Sequence, residues 1–228
     1  MNKTTVVAFL LLFNSGIVAA SPLSDSISRI ESDWAISYYL KTPEQQKTDY
    51  PLLLQRARTV GQRYPHAAEP RIWQAILLSA NAEFEPALTA LKSLDAAKSL
   101  LEDAIKTQPD ALEGAAYVTL GTLYYMVPGW PISFGDKDKA EQLLKKALSI
   151  NPNGIDANYF YGDYLLSQDK FSDAVKYFTA AIKAPTRKEQ MLADLQLQKN
   201  ASMALAKAQH NMNEGKSKFL SLFSTHNY

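Results

Sequence analysis

The chain of 228 residues contains no cysteine. That excludes disulfides, catalytic thiols and thiolate metal sites, and it leaves nothing to carry the lipid of a bacterial lipoprotein. Histidine is almost as scarce. The three present, His66, His210 and His226, stand at no helical spacing from one another, and no H-E-x-x-H run occurs. The G-x-S-x-G elbow of serine hydrolases is also missing. Gly215-Lys216-Ser217 ends like a phosphate loop, but the required earlier glycine is replaced by His210. Carboxylates are plentiful, yet most fall in solvated helical stretches such as "ESD" and "EQQKTD". No enzymatic activity, no cofactor and no metal site is expected.

Charge of one sign is lacking too. Lys and Arg number 24, Asp and Glu 23. A balanced chain has little electrostatic attraction for nucleic acid or an anionic membrane surface. Long apolar runs are confined to the start, "MNKTTVVAFLLLFNSGIVAASP". Lys3, the apolar run Val6 to Phe13, the breakers Asn14, Ser15 and Gly16, and Val18-Ala19-Ala20 together read as a secretory signal over residues 1–20, cut before Ser21. The run is shorter than the roughly 20 residues that span a bilayer, so no stable membrane insertion is expected. Cutting there removes one lysine and no acid, which leaves 23 basic and 23 acidic residues. The expected location is the periplasm.

What remains is helix almost throughout. From Pro22 onward apolar residues recur at spacings of three and four, and no alternating run suggests a strand. Prolines at 65, 109, 152 and 185 lie 44, 43 and 33 residues apart and punctuate the helices. Such regularity signals a repeat. The clearest unit is "ANYFYGDYLLSQDKFSDAVKYFTAAIKAP", with Gly162, Phe171, Ala174, Phe178 and Ala181. The small residues allow two antiparallel helices to approach, and the phenylalanines fill the space between neighbouring pairs. The preceding unit carries Leu120-Gly121, Tyr124, Ala140, Leu144, Ala147 and Pro152, with an insertion of about seven residues between its helices. Trp73, Ala97, Leu101, Ala104 and Pro109 repeat the spacing with about eight extra residues around "NAEFEPALTALKS". Trp34, Leu53, Ala57, Val60 and Pro65 make a weaker first copy. Asp136 and Asp156 are expected to cap the helices that follow them.

This order of small and large residues resembles the tetratricopeptide repeat. The resemblance implies an all-α solenoid of about four helix pairs, two of them degenerate and two with insertions, plus a C-terminal capping helix. The corresponding boundaries are a degenerate unit over 21–66, repeats over 67–186, a cap over 187–214 and a tail over 215–228. The export signal, the degenerate repeats and "GWPISFGDKDKAEQLLKKAL" together are similar to the T component associated with TRAP-type transport systems. That implies a periplasmic solute-binding protein as partner. The family's best-known form is a lipoprotein, and this chain departs from it in lacking the cysteine.

In such a solenoid the first helix of each pair lines the concave face. Carried over position by position, the inward residues are Tyr39 in the first unit and Arg71, Gln74 and Asn81 in the second. The third offers Val118, Thr122 and Tyr125, and the fourth Asp156, Tyr159 and Asp163. Tyr159 and Asp163, four apart, share a helix face. Aromatic bodies with a few polar anchors suit an extended peptide or an apolar ligand; packing between helices is the alternative role for the same tyrosines. The insertion "PGWPISFG", residues 128–135, is a turn by its prolines and glycines, which do not account for Trp130, Ile132 and Phe134. They form either a plug between units or a docking surface. The expected function is that of a non-catalytic adaptor holding a partner protein or an apolar ligand. A general scaffold in envelope assembly, or an accessory or hydrolase with an unrecognised site, is the alternative.

Overall fold

In the computed structural model residues 21–224 are described, with side chains as far as Glu214. The signal segment over 1–20 and His226 lie outside the described residues. Among the described residues nine α-helices follow one another: α1 (Pro22–Leu40), α2 (Pro43–Arg63), α3 (Glu69–Asn81), α4 (Ala87–Thr107), α5 (Ala111–Met126), α6 (Lys137–Ile150), α7 (Ile155–Ser167), α8 (Phe171–Lys183) and α9 (Met191–Ser224). Short 3-10 turns at Ala82–Phe84 and Lys188–Gln190 precede α4 and α9. No strand occurs among the described residues; the only β feature there is an isolated bridge between Gly129 and Gly135.

Local chemistry sets the helix starts. Ser21 accepts a hydrogen bond from Ser24 N–H at 3.1 Å, and Asp136 accepts one from Lys139 N–H at 3.0 Å. Pro22, Pro43 and Pro70 sit in first turns, where a missing N–H costs nothing. Pro65, Pro109, Pro152 and Pro185 all fall in the turns that link one helix pair to the next. Asp156 is not a cap. Gly154 holds the N-cap position of α7, and Asp156 lies within the first turn with its carboxylate on Arg187. The second-unit insertion does not loop out either. It becomes the 3-10 turn and additional turns of α4, which has 21 residues against 14 in α6 and 13 in α8.

The small residues stand where the helices touch. Ala57, Ala97, Ala104, Ala140, Ala147, Ala174 and Ala181 are fully buried. A Cβ on Gly121 would lie 2.7 Å from Leu144 Cγ and 3.3 Å from the Ala140 carbonyl oxygen. One on Gly162 would lie 3.0 Å from the ring of Phe178, which is itself fully buried. Close-packed cores have no room for that methyl without movement.

The pairs α1/α2, α3/α4, α5/α6 and α7/α8 stack in order, and α9 packs on α7 and α8. The first helices of the pairs also touch their successors, α1 on α3, α3 on α5, α5 on α7 and α7 on α9. The stack then closes, because α1 lies against α9 and the 3-10 turn before it. Five inner helices therefore make a ring, and the open concave groove expected from the repeat pattern is not formed. Axes about 9 Å apart place five helices on a circle of about 8 Å radius. Each helix with its side chains takes up about 5 Å of that radius, so only a few ångströms remain along the axis.

Candidate functional site

The sequence-derived candidates divide into three places. Tyr39 on α1, Tyr125 on α5, and Asp156, Tyr159 and Asp163 on α7 gather inside the ring. Tyr125 donates its hydroxyl to Asp163 Oδ2 at 2.6 Å across the α5–α7 contact. Burial, then the neighbouring Asp163 carboxylate, pushes the Tyr125 phenol well above its ordinary range, so it stays a donor. Burial followed by the Asp163 charge pushes Tyr159 up to about 12. Burial also raises Tyr39, aided by Tyr38, Asp156 and Tyr159. Thr122 donates to the Val118 carbonyl at 2.9 Å in its own helix, and Val118 is buried against Ala147 and Ala157.

Arg71 and Gln74 line a second place, an open cleft of about 360 Å³ between α2, α3 and α4, with Arg58, Gln62, Tyr64 and Leu100. The Arg71 guanidinium donates to the Ala67 carbonyl at 2.7 Å and to that of Pro65, which fixes it across the α2–α3 turn. Gln74 reaches the Ala57 carbonyl at 3.5 Å, and Asn81 donates to Glu85 at 2.7 Å.

The third place is the 127–136 loop. Asp136 N–H donates to the Tyr124 carbonyl at 2.8 Å and Gly135 N–H to that of Pro128 at 2.9 Å, which draws the loop into a tight closure. A Cβ on Gly135 would lie 2.0 Å from the Val127 carbonyl oxygen, so only glycine fits there. The closure separates the two aromatics. Phe134 turns inward, half-buried, edge-on to Tyr124 with ring centroids 5.3 Å apart and Lys98 Nζ 5.9 Å from its own centroid. Trp130 stands 90% exposed, beside Ile132 at 66% and Met126 at 69%. One insertion thus contains both a packed residue and an apolar outcrop.

The ring also holds groups that the repeat pattern did not single out. Arg187, just after Pro185, pairs with Asp194 Oδ1 at 2.6 Å and with Asp156 Oδ2 at 2.7 Å, and faces Glu113 at 3.6 Å. Its own backbone N–H also donates to Asp194 at 2.6 Å. Asp194 is 1% exposed, a burial a carboxylate tolerates only with such partners. Burial works against the Arg187 charge, but the hydrogen bonds to Asp194 and the charge of Asp156 outweigh it and hold the guanidinium protonated. Glu31 on α1 faces the same cluster. Burial, opposed by Arg187 but reinforced by Asp156 and Asp194, raises its carboxyl from 4.5 to about 7. Nearby, Trp34 stacks on Tyr38 at 5.1 Å and meets Trp73 edge-on at 5.6 Å, and both indole N–H groups are buried without a partner. The one local signal for this cluster was the seven-residue spacing of Arg187 and Asp194. Asp156 and Glu113 join it through the successive contacts of α7 with α9 and α5 with α7, whereas Glu31 joins it only because the ring closes.

Among the described residues no group of three or more His, Asp or Glu is arranged to hold a metal ion. No helix among them is long and apolar enough to cross a membrane. Comparison with known proteins bears on the scaffold. The tetratricopeptide repeat family model matches residues 132–153, which contain α6. No curated protein sequence matches the chain significantly. Among solved structures, a thermophilic tetratricopeptide protein of Thermus thermophilus superposes with a TM-score of 0.56 at 19% identity, covering 79% of this chain and 89% of its own. MamA MSR-1 C2 gives 0.40 at 18% identity, with 82% and 98% covered. A further MamA crystal structure gives 0.40 at 18%, with 86% and 96% covered. Fully buried alanines at fixed spacing, glycines under Leu144 and Phe178, and the matched repeat agree: this chain is built on the tetratricopeptide-repeat fold, an all-helical solenoid.

Proposed function

We propose that this protein is a non-catalytic, exported adaptor that docks a partner protein on the apolar outcrop of the 127–136 loop. The observation that carries the reading is the exposure of Met126, Trp130 and Ile132 within seven residues of chain, while Phe134 and the Gly135 closure hold the same loop rigidly on α5. A tryptophan held out in water on a fixed loop supplies the kind of aromatic anchor on which protein interfaces concentrate their energy. Tetratricopeptide scaffolds in general serve protein–protein recognition, which supports a protein partner over a catalytic role. The narrow ring interior counts against an extended peptide lying along the inner wall.

The finer reading names the partner. The likeness of the Gly129 to Ala140 stretch to the TRAP-associated T component makes a periplasmic solute-binding protein the first partner to test. A general envelope scaffold is the second reading, favoured by the lack of a lipid-bearing cysteine. A photo-crosslinking residue at Trp130, installed in exporting cells, tests the docking face, with exposed Leu88 on α4 as the control position. The expected result is a discrete adduct at position 130 that is absent at 88, and mass spectrometry of that adduct decides between the two partner classes. Identical adducts at both positions, or none at 130, refute the docking role. A separate apolar-ligand role for the ring is tested by Tyr159→Ala and Asp163→Ala. Unchanged retention of a co-purified apolar molecule in both variants removes it.

A further inference from the structure

We propose that the open cleft between α2, α3 and α4 binds a phosphate monoester, with the phosphoryl group on Arg58 and Arg71 and its organic body along Leu100. No residue of the 127–136 loop lines this cleft, so the site goes beyond the docking role and stands or falls separately from it.

The chain as a whole is close to neutral, but the cleft is not. Two guanidinium groups line it and no carboxylate does; Glu69, two residues before Arg71, is not among its walls. Among the described residues neither Arg58 nor Arg71 forms an ion pair. Arg56, one position from Ala57 on the same helix, is by contrast matched by Asp33. Two unmatched positive charges in one concave place favour an anion. A phosphate monoester, at about −1.5 to −2, answers both, whereas a carboxylate would leave one without a partner.

The donors are partly positioned in advance. Arg71 donates to the Ala67 carbonyl at 2.7 Å and to that of Pro65, which holds the guanidinium on the α2–α3 turn and leaves its other N–H groups for a ligand. The side chains of Arg58, Gln62 and Tyr64 have no hydrogen-bond partner among the described residues. Gln74 has only its long 3.5 Å contact with the Ala57 carbonyl, so its carboxamide is free to turn to a better acceptor. Three phosphoryl oxygens can use donors supplied by two helices and the turn between them, whereas one guanidinium fork already satisfies a planar carboxylate.

Gly61 keeps the place open. It lies inside α2 with no positive φ to require it, at a position where helix propensity favours alanine. A Cβ there would stand 2.8 Å from Gln74 Nε2 and 3.6 Å from Pro70 Cβ, so the missing methyl is what lets the Gln74 carboxamide lie against α2. The volume of about 360 Å³ is at the lower end of small-molecule sites, and a phosphoryl group takes up only part of it. Half-buried Leu100 on α4 supplies the large apolar wall for the rest of the ligand.

Isothermal titration with phenyl phosphate, benzoate and inorganic phosphate tests the site at low ionic strength, where screening is weakest. The expected result is saturable binding of phenyl phosphate at one site, with benzoate and inorganic phosphate each weaker by about fivefold or more. Arg58→Gln should weaken phenyl phosphate about tenfold through loss of one charge-assisted contact, and Arg71→Gln at least as much. Gly61→Ala should weaken it severalfold by displacing Gln74 while the melting temperature holds or rises, a combination that loss of folding does not produce. Arg29→Gln, an exposed position on α1 outside the cleft, should leave the affinity unchanged. Absence of saturable binding, or equal losses in Arg58→Gln and Arg29→Gln, overturns the site. Benzoate binding as tightly as phenyl phosphate overturns the phosphoryl assignment, and inorganic phosphate doing so overturns the organic body on Leu100. Should Arg71→Gln lose its helical signal, Arg58→Gln decides alone.

Discussion

Phe178→Ala is the most demanding test of how the stack is held together. Phe178 is fully buried between α7 and α8, its ring 3.0 Å from where a Gly162 Cβ would lie and 5.9 Å, centroid to centroid, from Tyr159. Truncation removes the whole ring and leaves a cavity beside a residue with no side chain to fill it. Buried Phe→Ala changes cost about 3–5 kcal/mol, and poor local collapse places this one at about 4 kcal/mol. For a chain of this size each kcal/mol moves the melting temperature by about 2–4 °C, so a fall of about 8–16 °C is expected. Urea and thermal unfolding followed by far-UV circular dichroism measure it. Leu88→Ala on α4, where the side chain is 77% exposed, should change stability by no more than about 0.5 kcal/mol. A Phe178→Ala loss below about 1 kcal/mol would refute the close-packed contact between α7 and α8.

Three further outcomes are expected. Asp136→Ala removes the α6 cap and should cost about 1 kcal/mol in urea unfolding, whereas Asp136→Asn should cost much less. Trp130→Ala should leave stability within about 0.5 kcal/mol, while Phe134→Ala, which uncovers Tyr124, should lose about 1–2 kcal/mol; equal effects would contradict the division of the loop. Tyr125→Phe deletes the hydroxyl that reaches Asp163 and should cost about 1–2 kcal/mol by chemical denaturation, with no loss of helical signal.

Much of the fold was legible from local rules. Alanines seven apart, with a proline five residues further on, mark the outer helices α4 and α6 because two helices can approach only where side chains are small; α8 keeps the same alanine spacing. Gly121 and Gly162 mark the opposing inner helices for the same reason. The α4 extension was harder to read. Pro86 within "NAEFEPALTALKS" looks like a loop signal, yet it stands at the N-cap of α4, where its missing N–H is harmless. Asp156 was misplaced by a similar ambiguity, since a carboxylate in the first helical turn reads like a cap until Arg187 is seen on it. Ring closure was not legible. It depends on the small rotation added at each stacked pair, and no single residue encodes that sum. Tyr39, Tyr125, Tyr159 and Asp163 could be placed on inner helix faces from spacing, whereas Glu31 had no reason to be grouped with Glu113 and Asp194 until α1 met α9.

The meeting of the first helix with the last also bears on how the protein is made. In an open array each unit needs only its neighbour, so the chain can consolidate as it emerges. Here Glu31 must wait for Asp194, most of the length of the chain away, before its half-buried carboxyl has its final surroundings. Such sequence-distant contacts are slow to form because the entropy of closing the intervening chain must be overcome first. The leading segment therefore stays unfinished through most of synthesis, and a chain cut short before α9 leaves the defect at its beginning as well as at its end.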